Sequence, residues 1–443
     1  MGIQDLIIGP IYFFIIMLIG VNIKNKMKDK DLGGYFLKGL FLKLFGAFGI
    51  SIIYFFYYGT GDTIFYFRRA VLIDSVLFSK LDVGLKLLFA NPMIIDPETF
   101  VYFKAIRAWD ASTYIVVKLA AITNLFCFDS YLSNAFIFAA LSFIGIWRLY
   151  KMMLGIFPGQ KQILAWSFLF IPSVFFWGSG ILKDNVTYGF LGIFITSFYY
   201  LFIERRQLFK NLVLLFVSVY VIGVIKSYIL LAAIPSMFIW LYLKFRGKIK
   251  SSVLKALATP ILLVLIFGAG YGTLQIAGSS FNKFSIDNAQ EKAEDMQRWH
   301  TYRVEVLKGG DGSSYNLGKV DFTPIGILTK IPKAVNAALF RPYLWEAGNI
   351  VVFLAAIESL ILLIITIRFL FLFSINMSAG FDYISKNPII YFMFIYSFIF
   401  AFSVGFTSFN FGALSRYRIP LLPFYVSAIL LVTDYLKNYK KAR

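Results

Sequence analysis

Residues 351–367 read VVFLAAIESLILLIITI, and Glu358 is their one charge. A membrane-crossing helix takes about 20 mostly apolar residues, because the hydrocarbon core is about 30 Å thick and a helix rises about 1.5 Å per residue. A core helix of a soluble domain keeps a polar face, and this stretch has none. Similar runs recur along the chain. Of its 443 residues 59% are hydrophobic and 15% charged, against about 25% charged in an ordinary soluble domain. That balance excludes an ordinary soluble enzyme, a disordered chain and a secreted disulfide scaffold. The single cysteine, Cys127, permits no internal disulfide, and the single histidine, His300, permits no multi-histidine metal site.

The fold class read from these runs is an all-α polytopic membrane protein with outer-face amphipathic helices. Eleven spans are expected, at roughly 5–22, 40–58, 133–150, 163–179, 186–203, 211–225, 228–243, 256–274, 350–367, 388–405 and 419–435. Residues 1–274 form a transmembrane core that includes an outer loop at 59–132. Residues 275–349 form a polar outer loop, and 350–443 the last spans. The stretch 113–128, TYIVVKLAAITNLFCF, carries Lys118 at its centre and reads as an interfacial helix instead of a span.

Net charge is +20. Short loops rich in Lys and Arg stay in the cytoplasm. The lysines at 24–30, the group Arg148, Lys151 and Lys161, and the group Arg205, Arg206 and Lys210 alternate with less basic connections. Lys244, Arg246, Lys248 and Lys250 continue the alternation, and the tail carries Lys437, Lys440, Lys441 and Arg443. Placing all of them inside puts the N-terminus outside and the C-terminus in the cytoplasm. The basic balance thus has a topological cause and implies membrane lipids, not nucleic acid, as the surroundings.

Charges near membrane depth are functional candidates. Asp62 in YYGTGDTIFYFRRA follows the second span, where Gly59 and Gly61 let the chain turn. Lys183 and Asp184 occupy the outer turn of IPSVFFWGSGILKDNVTYGF. Arg416, Tyr417 and Arg418 begin the last span in ALSRYRIPLLPF, and two arginines outside run against the orientation bias. Arg341 and Glu346 lie in LFRPYLWEAGN, and Glu358 sits mid-span, either protonated or paired with a base on a neighbouring helix. Lys226 in IKSY is a weaker phosphate candidate, and His300 in QRWHTYR reads as a solvated or packing residue. A carboxylate can serve as general base on a hydroxyl. Guanidinium and ammonium groups bind phosphate and stabilise it as a leaving group. No phosphate loop or HExxH motif is present, and no metal or other cofactor follows from the residues, although a metal ion is not excluded.

Three stretches make the chain resemble the GT-C superfamily of integral membrane glycosyltransferases, in its aminoarabinose-transferase and protein-mannosyltransferase branch. GDTIFYFRRA places an acid early in the first large outer loop. STYIVVKLAAITNLF, SNAFIFAALSFIGIWRLYK and AWSFLFIPSVFFWGSGILKDN follow the order of surface helix, span with basic end, and span with Pro then outer aspartate. RYRIPLLPF matches a late Arg-Tyr, Pro, Pro pattern through Arg416, Tyr417, Pro420 and Pro423. The chain departs from the branch in its extra first span and in Thr63, where a second acid would follow Asp62. The resemblance implies inverting transfer from a polyprenyl-phosphate sugar to a glycan, lipid or protein hydroxyl at the outer face of the cytoplasmic membrane. Asp62 would be the base, Asp184 a positioning acid, and Lys183, Arg341, Arg416 and Arg418 donor-phosphate ligands, with Tyr417 and Glu358 beside them. A lipid-linked oligosaccharide polymerase or ligase, a transporter or flippase, and a non-catalytic scaffold stay open as alternatives.

Overall fold

The computed structural model describes residues 1–92, 94, 96–248, 315, 317–318, 324–408 and 410–441. The expected span at 256–274, most of the polar loop at 275–349 and His300 lie outside the described residues. Among the described residues all regular structure is helical. Seven helices are long and apolar enough to cross a membrane, and a bent pair makes an eighth candidate. The chain divides into two compact units, Met1–Lys161 with Leu169–Lys226, and Gln162–Phe168 with Ser227–Arg443.

In the first unit the long helices are α1 (Ile3–Asn25), α2 (Lys30–Ile52), α7 (Tyr131–Ile156) and α10 (Lys183–Phe198). α2 runs on as a π-helical turn over Ile53–Tyr57, and α10 does the same over Tyr199–Ile203. α7 and α10 cross where neither carries a side chain. A Cβ on Gly145 would lie 1.9 Å from the Gly189 carbonyl oxygen, and one on Gly192 would lie 2.4 Å from that of Gly145. Close backbone approach through small residues is how helices associate where lipid removes the hydrophobic drive. α1 turns a row of apolar side chains outward, among them Leu6, Phe14 and Leu18. It is held at its start by Asp5, which accepts from the Leu132 amide (2.9 Å) and Ser130 Oγ (3.0 Å).

Between α2 and α7 the loop expected at 59–132 folds as four shorter helices: α3 (Asp62–Ser79), α4 (Leu81–Phe89), α5 (Pro97–Ile106) and α6 (Ala111–Asn124). Asp96 and Asp110 cap α5 and α6 by accepting amide hydrogens of their first turns. α6 has 14 residues, about 21 Å of helix, which is too short to cross the core. The segment 113–128 therefore stands outside the set of spans.

One expected span differs from the structure. Residues 163–179 are not one helix. α8 (Lys161–Phe168) ends before the break, and α9 (Pro172–Trp177) starts with Pro172 at its first position. Proline has no amide hydrogen and its ring clashes with the carbonyl four residues back, here Phe168, so the helix cannot run through. The pair 211–225 and 228–243 falls in α11 (Leu208–Phe245), which is two helical stretches joined by a kink at Lys226 (φ −149°, ψ 74°), as the sequence placed them. Among the described residues seven helices, or eight with the bent pair, have the length and composition of a span.

The second unit contains the later half of α11 and, among the described residues, α12 (Pro324–Thr329), α13 (Ile331–Phe340), α14 (Ile350–Ile375), α15 (Met377–Lys386), α16 (Ile389–Thr407), α17 (Phe411–Tyr417) and α18 (Leu422–Lys441). α13 lies against α16 at Gly405, where a Cβ would stand 1.9 Å from the Ala334 carbonyl oxygen. Thr366 and Tyr425 join α14 to α18 through their hydroxyls at 3.1 Å. α17 and α18 are bent by 67° at the Arg418–Leu421 break, which contains Pro420.

Candidate functional site

Lys183 and Asp184 open α10, and each takes a partner from a different element of the first unit. Lys183 Nζ donates to Ser112 Oγ (2.8 Å) and Thr113 Oγ1 (2.9 Å) and stands 3.7 Å from Asp110 Oδ1. Burial by itself raises the Asp110 carboxyl. The hydrogen bonds from Ser112 and Thr113 and the Lys183 charge outweigh it and hold the group down at about 2. Asp110 is therefore a permanent anion at neutral pH. Asp184 forms a buried ion pair with Lys226, the residue that interrupts α11. The turn before them is fixed as well. Gly180 has φ +71°, which suits glycine, and Asn185 Nδ2 donates to its carbonyl at 2.7 Å.

Asp62 is half-buried at the first position of α3, and Gly61 before it adopts φ +127°. A Cβ on Gly61 would meet the Tyr54 ring at 2.5 Å, so the turn that sets Asp62 is closed against the end of α2. Its neighbour Thr63 accepts a hydrogen bond from the Tyr131 hydroxyl at 2.7 Å, pinning the start of α3 to that of α7.

In the second unit the charges form another cluster. Arg418 is fully buried. It donates from Nη1 to Ser359 Oγ (2.9 Å) and the Arg341 carbonyl (3.1 Å), and from Nη2 to Glu358 Oε1 (3.3 Å). Glu358 is thus paired with a base on another element, one of the two states the sequence left open for it. The Arg341 guanidinium forms a two-point contact with Glu346. It lies 5.2 Å from the ring centres of Tyr315 and Phe411 and 5.8 Å from that of Tyr343, a cation–π enclosure. Arg416 and Tyr417 are half-buried in the last turn of α17.

Of the residues proposed from sequence, the structure brings Arg341, Glu358 and Arg418 into one contact network, whereas the neighbours Lys183 and Asp184 have separate partners. Sequence reading missed Asp110, Ser112 and Thr113 as partners of Lys183, and gave Lys226 a lesser place than its pairing with Asp184 warrants. It also passed over Lys43, a charge inside the second apolar run. Lys43 is buried and donates to the Gly178 carbonyl.

A third polar group lies where α3 meets the end of α6. Asn124 Nδ2 donates to Asp74 Oδ2 (2.8 Å) and Asp129 Oδ1 (2.6 Å). Burial pushes the Asp74 carboxyl up to about 7, against the Asn124 hydrogen bond and with the help of the Asp129 charge. Among the described residues no three His, Cys, Asp or Glu side chains converge on a point that could hold a metal ion. Comparison of the chain with family models, with curated proteins and with solved structures gives no match.

Proposed function

We propose that this protein is an integral membrane glycosyltransferase of the GT-C type. It transfers a sugar from a polyprenyl-phosphate donor to a hydroxyl of a glycan, lipid or protein acceptor, with inversion, at the outer face of the cytoplasmic membrane. The observation that carries this reading is the start of α10. There a lysine and an aspartate, adjacent in an otherwise apolar chain, are each fixed by a polar or charged partner from another helix. Charges fixed at or near membrane depth are functional candidates.

In this reading Asp62 is the general base. It takes the acceptor proton as the acceptor oxygen attacks the sugar's anomeric carbon. The bond from that carbon to the phosphate oxygen breaks, and the lipid phosphate leaves as an anion. Lys183 neutralises the leaving phosphate. Asp184, Asp110 and Lys226 hold Lys183 and the surrounding turn in place. In the second unit the buried Arg418 supports the Arg341 backbone and pairs with Glu358. With the eleven spans read from the sequence, the alternation of basic loops supports an N-terminus outside and a C-terminus inside.

The test is incubation of purified protein with polyprenyl-phosphate sugars and a membrane acceptor fraction. Transfer by wild type and its loss in a folded Asp62→Asn variant supports the reading. Full activity in Asp62→Asn removes Asp62 as base. Absence of transfer from every such donor, together with donor-independent movement of a lipid-linked glycan across vesicles, favours a flippase instead.

A further inference from the structure

The inference concerns Lys43, and its catalytic consequence rests on the function just proposed. Lys43 stands midway along the continuous helix Lys30–Tyr57 and is 2% exposed. Its Nζ donates to the Gly178 carbonyl and lies 5.8 Å from the centre of the Tyr188 ring. Among the described residues no carboxylate pairs with it. A charge enclosed within protein at this depth is costly. Lys43 cannot recover that cost by reaching headgroups, as a lipid-facing lysine would, because its ammonium is turned inward. An isosteric Met or Leu would pack without the cost.

What the ammonium does hold is specific. Gly178 is the C-cap of α9 and begins the turn that leads to Lys183 and Asp184, and Tyr188 lies one helical turn beyond Asp184 on α10. The surrounding contacts leave no slack. A Cβ on Gly46 would stand 2.2 Å from the Phe175 carbonyl oxygen, and one on Gly49 would stand 2.7 Å from the Phe176 ring. α2 therefore lies directly on α9, with Lys43 as the polar tie at the end of that contact. Asn185 closes the same turn from its far side through Gly180.

We infer that Lys43 is a positioning residue: its buried ammonium anchors the turn between α9 and α10 and thereby sets where Lys183 and Asp184 sit. It touches no reacting atom in this account.

The experiment compares Lys43→Met, Lys43→Arg and Leu44→Ala in the purified full chain, by hydrogen exchange of the peptide spanning 178–184 and by sugar transfer. Losing one buried hydrogen bond from a charged donor corresponds to about a tenfold or greater effect. Lys43→Met is expected to speed exchange at 178–184 by about that factor while α1 and α7 keep wild-type protection. It should also lower kcat by about tenfold with KM little changed. Lys43→Arg, which keeps a cationic donor, should restore most of the protection. Leu44→Ala, a cavity in the same helix, should lower the unfolding temperature without selective opening of 178–184. Wild-type exchange at 178–184 in Lys43→Met overturns the inference, as does opening spread evenly over the unit. If Lys43→Met does not fold, Lys43→Gln stays polar but is one bond shorter than lysine, so selective opening of 178–184 in that variant supports the inference and wild-type or evenly spread exchange overturns it. If wild type transfers no sugar from any polyprenyl-phosphate donor, the functional reading fails, and the exchange result alone decides the anchoring role.

Discussion

Asp184 accepts from Lys226 across 42 residues of sequence, and both side chains lie inside the protein. A buried ion pair adds little net stability over an apolar pair, yet breaking it leaves a lone buried charge, at a cost of about 3–5 kcal/mol. Asp184→Asn and Lys226→Met are each expected to destabilise the first unit by an amount on that order. The double variant should cost less than the sum of the two. Denaturant titration of the four proteins in detergent gives the coupling energy, and strict additivity would refute the pairing.

Arg418 offers a parallel case in the second unit. Its side chain serves Glu358, Ser359 and the Arg341 carbonyl together. Arg418→Met is expected to lose about 3–5 kcal/mol. Glu358→Gln, which keeps an acceptor for the guanidinium, should lose distinctly less. The order of the two unfolding midpoints checks this, and the reverse order would mean that Glu358 has a role apart from Arg418.

A pH effect follows from Asp74. Its folded-state value of about 7 lies above the ordinary 3.8. The stability it contributes is therefore fully present below about pH 4 and is lost as pH rises through about 7. Asp74→Asn removes the ionisable group and should flatten the stability profile across that window. Unfolding midpoints taken at half-unit steps from pH 4 to 8 measure it, and an unchanged slope in the variant would count against the assignment.

Asp110 runs the other way. Held at about 2 against an ordinary 3.8, it contributes stability that is present above about pH 4 and lost as pH falls through about 2. Asp110→Asn should leave the profile above pH 4 flat while weakening the hold on Lys183. A several-fold fall in donor-dependent transfer without loss of folded protein is the expected result. Wild-type transfer would show that Ser112 and Thr113 suffice.

The apolar runs made most of the long helices legible, because twenty apolar residues have few other uses. Nine of the expected spans fall on described helices or on the bent pair α17–α18. The break at Leu169–Ile171 was hidden for a different reason. Hydropathy is blind to Pro172, whose effect is on the backbone. Lys226 was legible as a break between two apolar runs, and the backbone is non-helical there, but its side-chain partner Asp184 was not. The candidate acids and bases were visible as charges out of place. Their partners were not, because Asp110 with Lys183, and Glu358 with Arg418, are brought together by packing between helices distant in sequence.

The crossing of α7 and α10 at Gly145, Gly189 and Gly192 has a bearing on how such a chain can diverge. Where two backbones touch, even one added methyl group has nowhere to go. Those three positions resist substitution although they carry no chemistry, while exposed apolar residues such as Leu141 and Ile144 on α7 have room to exchange. Descendants of this chain could therefore lose nearly all recognisable similarity along their spans and still keep this one crossing. Two small residues three apart on one helix, facing a third on its neighbour, would be a more durable mark of shared ancestry than any of the charged motifs.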